Sequence, residues 1–188
     1  MAGKSDFQQD LARYHESLRW FDRALWTIAV YRLGRRILAM RSETAQRALL
    51  SVFFLVARVV ETFTKMSLPV FAQIGGGLRI ANSGLIFVHS NSVIGRNCTL
   101  SRGVTIGNAR EEGSTPVIGD DVEIGAYAQI LGGIRIGDGA KIASMSVVLK
   151  DVPAGAVASG IPARVKTAPP LHASAPLLLA EGDIRLLR

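Results

Sequence analysis

The chain reads Ile118-Gly-Asp-Asp-Val-Glu, Ile124-Gly-Ala-Tyr-Ala-Gln, Ile130-Leu-Gly-Gly-Ile-Arg, Ile136-Gly-Asp-Gly-Ala-Lys, Ile142-Ala-Ser-Met-Ser-Val and Val148, with an aliphatic residue at every sixth position. Four places after each of these stands another small or aliphatic residue: Val122, Ala128, Ile134, Ala140, Ser146 and Val152. The same frame runs upstream through Val88, Ile94, Leu100 and Ile106, with Ser92, Cys98 and Val104 in the second slot. Ile74 and Ile80 begin it, and a two-residue slip near Ile86 separates them from Val88. Fixed self-similarity of this kind marks a repeat architecture.

Six residues make one short flat strand and one corner, so three hexads close a triangular coil. The aliphatic residue points into the prism, and Gly119, Gly125, Gly137 or Ala143 behind it suits a tight corner. Each coil bonds to the next at about 4.8 Å, and none can bury its inner face alone. The spacing therefore predicts a mainly β chain: a parallel β-helix over residues 67–165. Glycines number 19 and aromatics are 6% of the chain, which suits an aliphatic core with close backbone approaches. Between Ile106 and Ile118 the frame is broken by residues 107–117, which are polar and carry Gly and Pro. Such a segment must leave the coil as an extruded loop, and loops on rigid scaffolds commonly carry function.

Residues 1–66 read as a helical, basic, amphipathic leader. One helix is expected over Ser17–Met40 and a second from the capping candidate Ser42 to about Met66. The leader holds 11 Lys/Arg against 6 Asp/Glu, so it carries most of the chain's net charge of +7. In the second helix Arg47, Arg58, Glu61 and Lys65 share a sector of roughly 60°, leaving a wide apolar face. Two readings of that face stay open. It packs against a partner helix or subunit, or residues 17–66 lie in a membrane interface with Trp20, Trp26 and the cluster Arg32, Arg35, Arg36, Arg41 and Arg47 at anionic headgroups. The longest uncharged stretch, Ala48–Ala57, is too short to span a bilayer. No groove-reading motif accompanies the arginines, so no nucleic acid partner is expected. Residues 166–188 are a Pro/Ala/Leu-rich tail, read as an extended strap without chemistry.

Cys98 is the single cysteine, which excludes an intrachain disulfide and a multi-cysteine zinc site. The first residues lack an apolar h-region, so a cytoplasmic setting is expected, peripheral to the inner membrane face if the leader binds lipid. A three-histidine zinc site is also excluded, because the repeat offers only His89 while His15 and His172 lie on the flanks. No metal is expected. A sugar nucleotidyltransferase needs a nucleotide-binding domain ahead of the helix, and 66 residues are too few.

The segments Ile74-Gly-Gly-Gly-Leu-Arg-Ile80, Val93-Ile-Gly-Arg-Asn-Cys98, Gly103-Val-Thr-Ile-Gly107, Pro116-Val-Ile-Gly119, Ile124-Gly-Ala-Tyr-Ala-Gln-Ile-Leu-Gly132, Asp151-Val-Pro153 and Gly160-Ile-Pro-Ala-Arg164 resemble the serine acetyltransferase branch of the hexapeptide-repeat acyltransferases. Trp26-Thr-Ile-Ala-Val-Tyr-Arg-Leu-Gly34 resembles the helical leader of relatives in bacterial polysaccharide gene sets. The resemblance implies a left-handed β-helix, a homotrimer, and acetyl-CoA as co-substrate in a groove between neighbouring prisms. By motif position the coenzyme contacts fall on Asn108, Ala126 and Ser144. Gly125 and Ala143 precede the last two, and their small size permits close approach. Arg164, at the turn closing the prism, meets a coenzyme phosphate or is a solvated surface arginine.

On the acceptor side the chain departs from the family. The histidine that removes the acceptor proton is replaced by Asn82, the acidic residue before it by Ala81, and an Arg-His pair by Ser114-Thr115. Asn cannot act as a general base, and loss of one commonly costs about 10²–10⁴ in rate. Three ways out follow. His89, which should lie one 18-residue coil beneath Gly107, is the base unless it is a corner histidine on the surface. Alternatively the acceptor is an amine, which with a pKa near about 8 needs orientation more than a base, and Asn82 supplies it. In the third case the protein is a catalytically silent trimeric scaffold. The expected activity is acetyl-CoA-dependent O-acetylation of a small hydroxyl-bearing sugar or amino-acid-like acceptor, free or lipid-linked, in cell-surface polysaccharide synthesis. N-acetylation of an amino-sugar is the alternative.

Overall fold

The computed structural model describes residues 5–14, 22–109 and 114–166. Helices α1 (Asp6–Ala12), α2 (Arg23–Leu38) and α3 (Glu43–Thr64) precede fifteen short strands. On face A of a triangular prism lie β1 (Met66–Ser67), β4 (Ile86–Val88), β7 (Thr105–Gly107), β10 (Gln129–Leu131) and β13 (Val147–Val148). Face B holds β2 (Gln73–Ile74), β5 (Val93–Ile94), β8 (Val117–Ile118) and β11 (Arg135–Ile136). Face C holds β3 (Arg79–Ala81), β6 (Thr99–Ser101), β9 (Glu123–Ile124), β12 (Lys141–Ile142), β14 (Val157–Gly160) and β15 (Ala163–Lys166). All pairs are parallel except β14–β15, which closes the sheet as an antiparallel hairpin. This is the left-handed parallel β-helix the hexads predict, with an α-helical leader.

The register shows how the coil tolerates irregularity. The regular step is 18 residues, as in Ile118 against Ile136 and Ile124 against Ile142. The slip near Ile86 makes the first step 20, Ile74 against Ile94 and Ile80 against Leu100. The extruded loop makes the next step on the same face 24, Ile94 against Ile118. Both irregularities leave the coil at corners, so the inward ladder is untouched. Ile94, Ile118 and Ile136 on face B, and Leu100, Ile124 and Ile142 on face C, are all buried. Corner residues Cys98, Val122, Ala140 and Ala156 stack in their own buried column. Burial pushes the Cys98 thiol up to about 11, so it is an inert core group.

The glycines after the aliphatic positions serve close approach rather than turning. A Cβ on Gly119 would lie 2.1 Å from Oδ1 of Asp138, and one on Gly137 2.4 Å from the Ala154 nitrogen. The left-handed corner conformation falls instead on Asn97, Asp121, Gly139 and Gly155, one above another. Between coils, Asp120 and Asp138 carboxylates accept the backbone N–H of Arg96 and Asp120 at 2.6 and 2.8 Å.

The leader plugs the lower end of the prism. A first coil has no coil beneath it, so its backbone groups need other partners. Tyr31 donates its hydroxyl to the Ala72 carbonyl at 2.7 Å and accepts the Ile74 N–H at 3.0 Å. Arg32 donates to the carbonyls of Ile74 and Gly75 at 2.7 and 2.6 Å, and to both oxygens of Asp10 at 2.8 and 3.1 Å. Asp10 in turn accepts the Leu78 N–H at 2.7 Å. Arg13 reaches the Gly77 carbonyl at 2.8 Å, and the Tyr14 hydroxyl accepts the Ile80 N–H at 2.7 Å. Arg32 therefore leaves the surface cluster in which its spacing placed it: it is buried, and its charge is spent on the plug. The first predicted helix is also shorter than Ser17–Met40. It begins at Arg23, where the Asp22 side chain accepts the Ala24 N–H, and its predicted start lies outside the described residues. Ser42 stands at the N-cap of α3 but makes no side-chain capping bond.

Arg32→Ala and Asp10→Ala should each destabilise the fold by about 3–5 kcal/mol, because each strands a buried charge, as urea unfolding will measure. Burial raises Tyr14 to about 12, above its unfolded value of 10. The native state then keeps a proton that the unfolded chain releases, so stability should fall as pH rises through that window. Tyr14→Phe should flatten that slope in unfolding curves taken across it.

Candidate active site

The paired register gathers most of the predicted coenzyme residues into one row. Ile124 pairs with Ile142, and Ile142 with Ala158, so Gly125, Ala143 and Ser159 stand side by side at the end of face C. Ser159 pairs with Arg164 on β15. Two strand spacings put the Arg164 backbone about 10 Å from Ala143. Ala126 and Ser144 follow at the corner from face C to face A, where the Met145 N–H bonds the Ala126 carbonyl at 2.8 Å.

Small residues make this corner. A Cβ on Gly125 would lie 2.5 Å from the Ser144 nitrogen and 2.8 Å from its Oγ. Tyr127 and Met145 take positive φ of 58° and 59° and point outward, an uncommon state for bulky side chains. Gly125, Ala143 and Ser144 line one shallow cavity of about 230 Å³ with Ser101, Glu123 and Lys141. There Lys141 is held by Glu123 at 3.3 Å. Arg164 and Lys166 on the outermost strand are exposed cations.

Asn82 opens the corner from face C to face A two coils below the one that carries Ala126. It is exposed, with φ of 56°, in the corner that also carries the two-residue slip. Its neighbour Ser83 donates to Oδ1 of Asp22 at 3.1 Å, which ties this corner to the first turn of α2. No pattern in the sequence announces that tie, because the partners lie 61 residues apart.

His89 and Asn108 lie at a different corner, from face A to face B. The His89 N–H bonds the Ile106 carbonyl at 2.8 Å, which places His89 beneath Gly107 at the 18-residue spacing. Its ring is half-buried, and Nδ1 accepts the Asn91 N–H at 3.2 Å. In the neutral ring this bond puts the proton on Nε2, making that nitrogen a donor. Thr115, at the closing end of the loop, donates to the Asn91 carbonyl at 2.8 Å and braces the same turn. Asn108 is half-buried at the loop root. Loop residues 110–113 are outside the described residues. Within the chain, then, Asn82 and the row Gly125, Ala126, Ala143 and Ser144 occupy one edge of face A, and His89 with Asn108 the other. Among the described residues no cluster of three or more His, Cys, Asp or Glu could hold a metal ion.

Sequence reading missed the aspartate ladder and the Thr115–Asn91 brace. For the ladder a signal existed: Asp recurs directly after Ile-Gly at Asp120 and Asp138.

Residues 115–150 match the family described as bacterial transferase hexapeptide (six repeats). The Escherichia coli K12 protein named as the colanic acid biosynthesis acetyltransferase WcaB is 35% identical over 150 residues, covering 78% of this chain and 93% of that one. Serine acetyltransferase 1, chloroplastic, of Arabidopsis thaliana is 41% identical over 126 residues, 64% of this chain and 40% of that one. The serine acetyltransferase of Synechococcus elongatus is 31% identical over 113 residues, 59% of this chain and 46% of that one. The chain thus spans less than half the length of these two serine acetyltransferases. Among solved structures, soybean serine acetyltransferase complexed with serine superposes with a TM-score of 0.74 at 30% identity, covering 86% of this chain and 68% of that one. A serine acetyltransferase complexed with CoA gives 0.71 at 29% identity, covering 86% and 66%. The chain belongs to the hexapeptide-repeat acyltransferases and is serine acetyltransferase-like.

Proposed function

We propose that this protein transfers an acetyl group from acetyl-CoA to a hydroxyl of a small sugar or amino-acid-like acceptor, free or lipid-linked, in cell-surface polysaccharide synthesis. The observation that carries this reading is the likeness to WcaB over 93% of that protein's length. The row Gly125, Ala126, Ala143 and Ser144 supports it: small residues at a corner let the pantetheine arm approach backbone amides. Arg164 stands in the same row, where its guanidinium would meet a phosphate of the coenzyme.

The site is divided between two edges of one face, so a single prism does not assemble it. A homotrimer in which one protomer's Asn108 edge faces the next protomer's Ser144 edge supplies both halves of the groove. Such an arrangement also faces His89 of one subunit toward Asn82 of its neighbour. His89 then takes the acceptor proton at Nε2, and Asn82 orients the acceptor. Taking that proton requires Nδ1 to carry the other one and to give up the Asn91 bond. A net cost of about 1 kcal/mol, less than tenfold in rate, is affordable beside the 10²–10⁴ that a base commonly contributes.

The Nδ1–Asn91 bond itself favours a second reading, an amino-sugar acceptor. With Nδ1 so engaged, a neutral His89 carries its proton on Nε2 and would donate to the developing oxyanion of the thioester, while a partly unprotonated amine needs orientation more than a base.

Calorimetry with coenzyme A should give binding that Gly125→Val weakens about tenfold or more, while Gln73→Ala, on face B away from the row, leaves it unchanged; no binding at millimolar ligand would refute the enzyme reading. With a hydroxyl acceptor, His89→Ala should lower kcat about 10²-fold or more with little change in coenzyme affinity. Asn82→His, which tolerates the positive φ, should raise it. With an amine acceptor, both variants should move kcat much less. A rate that follows the free-amine fraction as pH rises toward about 8 would identify N-acetylation. Light scattering should return a mass three times that of the chain.

A further inference from the structure

The leader uses one side of its helices for the plug and leaves another uncovered. On α3, Leu49, Val52, Val56, Val59 and Phe63 recur at alternating spacings of three and four, and all are exposed, Val52 by 62% and Phe63 by 74%. Leu55 widens the stripe at 69% exposure. At 100° per residue the six fall within a sector of about 120°, and Arg47, Arg58 and Glu61 lie on the opposite side of the helix. The buried contacts of α3 with α2 and Val70, made through Phe53, lie between these two faces. The stripe continues across a groove of about 390 Å³ onto Leu33 and Met40 of α2, and Arg36 stands in that groove's wall. Trp26 extends the α2 side, 55% exposed. No helix among the described residues is long and apolar enough to cross a membrane.

The charges around this surface select its occupant. Every described carboxylate of the leader is already engaged. Asp6 and Asp10 pair with Arg32, Asp22 caps α2, Glu43 lies 3.4 Å from Arg47, and Glu61 lies 3.5 Å from Arg58. Among the described residues, Arg36 in the groove wall and Arg41 in the turn after α2 are exposed and pair with no carboxylate. A second copy seated symmetrically on this face would bring these arginines against their own equivalents and offer no free acid. A bilayer surface offers both things the face lacks: acyl chains for the stripe and anionic headgroups for arginines, whose stems lie along apolar surface while their heads stay polar.

We infer that the α2–α3 face docks on an anionic membrane surface, the stripe entering the acyl boundary and Arg36 and Arg41 meeting lipid phosphates. The inference rests on the acetyltransferase reading only in giving it a purpose, since it brings the site to an acceptor carried on lipid. In a trimer three such faces act together, so weak contacts of each copy multiply.

Flotation of the full chain tests this. It should float with vesicles of phosphatidylcholine containing about one third phosphatidylglycerol, and far less with phosphatidylcholine alone. Val52→Ser/Val56→Ser/Val59→Ser, which keeps helix propensity similar, should lower the partition about tenfold or more. Arg36→Gln/Arg41→Gln should lower it about tenfold on anionic vesicles only. Coenzyme binding and transfer to a water-soluble acceptor should be unchanged in both variants, so failure of docking and failure of the enzyme reading are separable. Equal flotation on both vesicle types, none on either, or flotation indifferent to both variants would overturn the inference. So would a vesicle-independent doubling of particle mass that the valine variant abolishes, because the face would then belong to a second copy.

Discussion

Everything in this molecule rests on how the first coil of the β-helix is closed from below. Each later coil finds its backbone partners on the coil before it, but the first has no template. Arg32, Asp10, Tyr31, Arg13 and Tyr14 supply that template from helices, matching side-chain donors and acceptors to the carbonyls and N–H groups around Ala72–Ile80. The arginine–aspartate pair is buried at its centre, where neither charge is tolerable without the other and without the backbone they share. A leader of three helices is thereby made part of one cooperative body with the prism.

That closure reaches the site through register. Once Ile74 and Ile80 are set, every inward residue above them is set too, and the outward residues fall into rows. Gly125, Ala143, Ser159 and Arg164 come from distant parts of the sequence yet stand in one line because hydrogen bonding leaves them nowhere else to be. The corner that carries Asn82 is fixed from both sides, through Ser101 against Ala81 and through Ser83 on Asp22. Excess chain is expelled only at corners, which is why slip and loop flank the face that separates Asn82 from His89.

The prism was legible in the sequence because its period is carried by side chains that must point inward. Ile118, Ile124, Ile130, Ile136 and Ile142 announce strand, corner and stacking together. The row of small residues was legible for the same reason, since it is phase-locked to those isoleucines. The leader was legible only as helices. That Arg32 is a core residue and Arg35 and Arg36 are surface ones follows from which side of α2 meets the prism, and an amphipathic pattern in which arginines interleave with apolar residues does not encode that. Nor could the protonation of His89 be read, because it hangs on a backbone N–H two residues away rather than on any residue type. Position at the site was thus written in the repeat, and chemistry at the site was written in local backbone geometry.

The antiparallel return of β15 on β14 has a consequence for how molecules of this kind can associate. A stack of parallel coils is open-ended in principle, and its last coil is a template for another molecule's first. Here the last strand of face C runs against the grain and carries Arg164 and Lys166, so an approaching coil would meet reversed polarity and like charge. The opposite end is stoppered by helices. Among the described residues, face C thus ends in a strand that templates no further parallel coil and helices stopper the opposite end, so axial stacking is opposed by two unrelated devices and the long flanks are left for company.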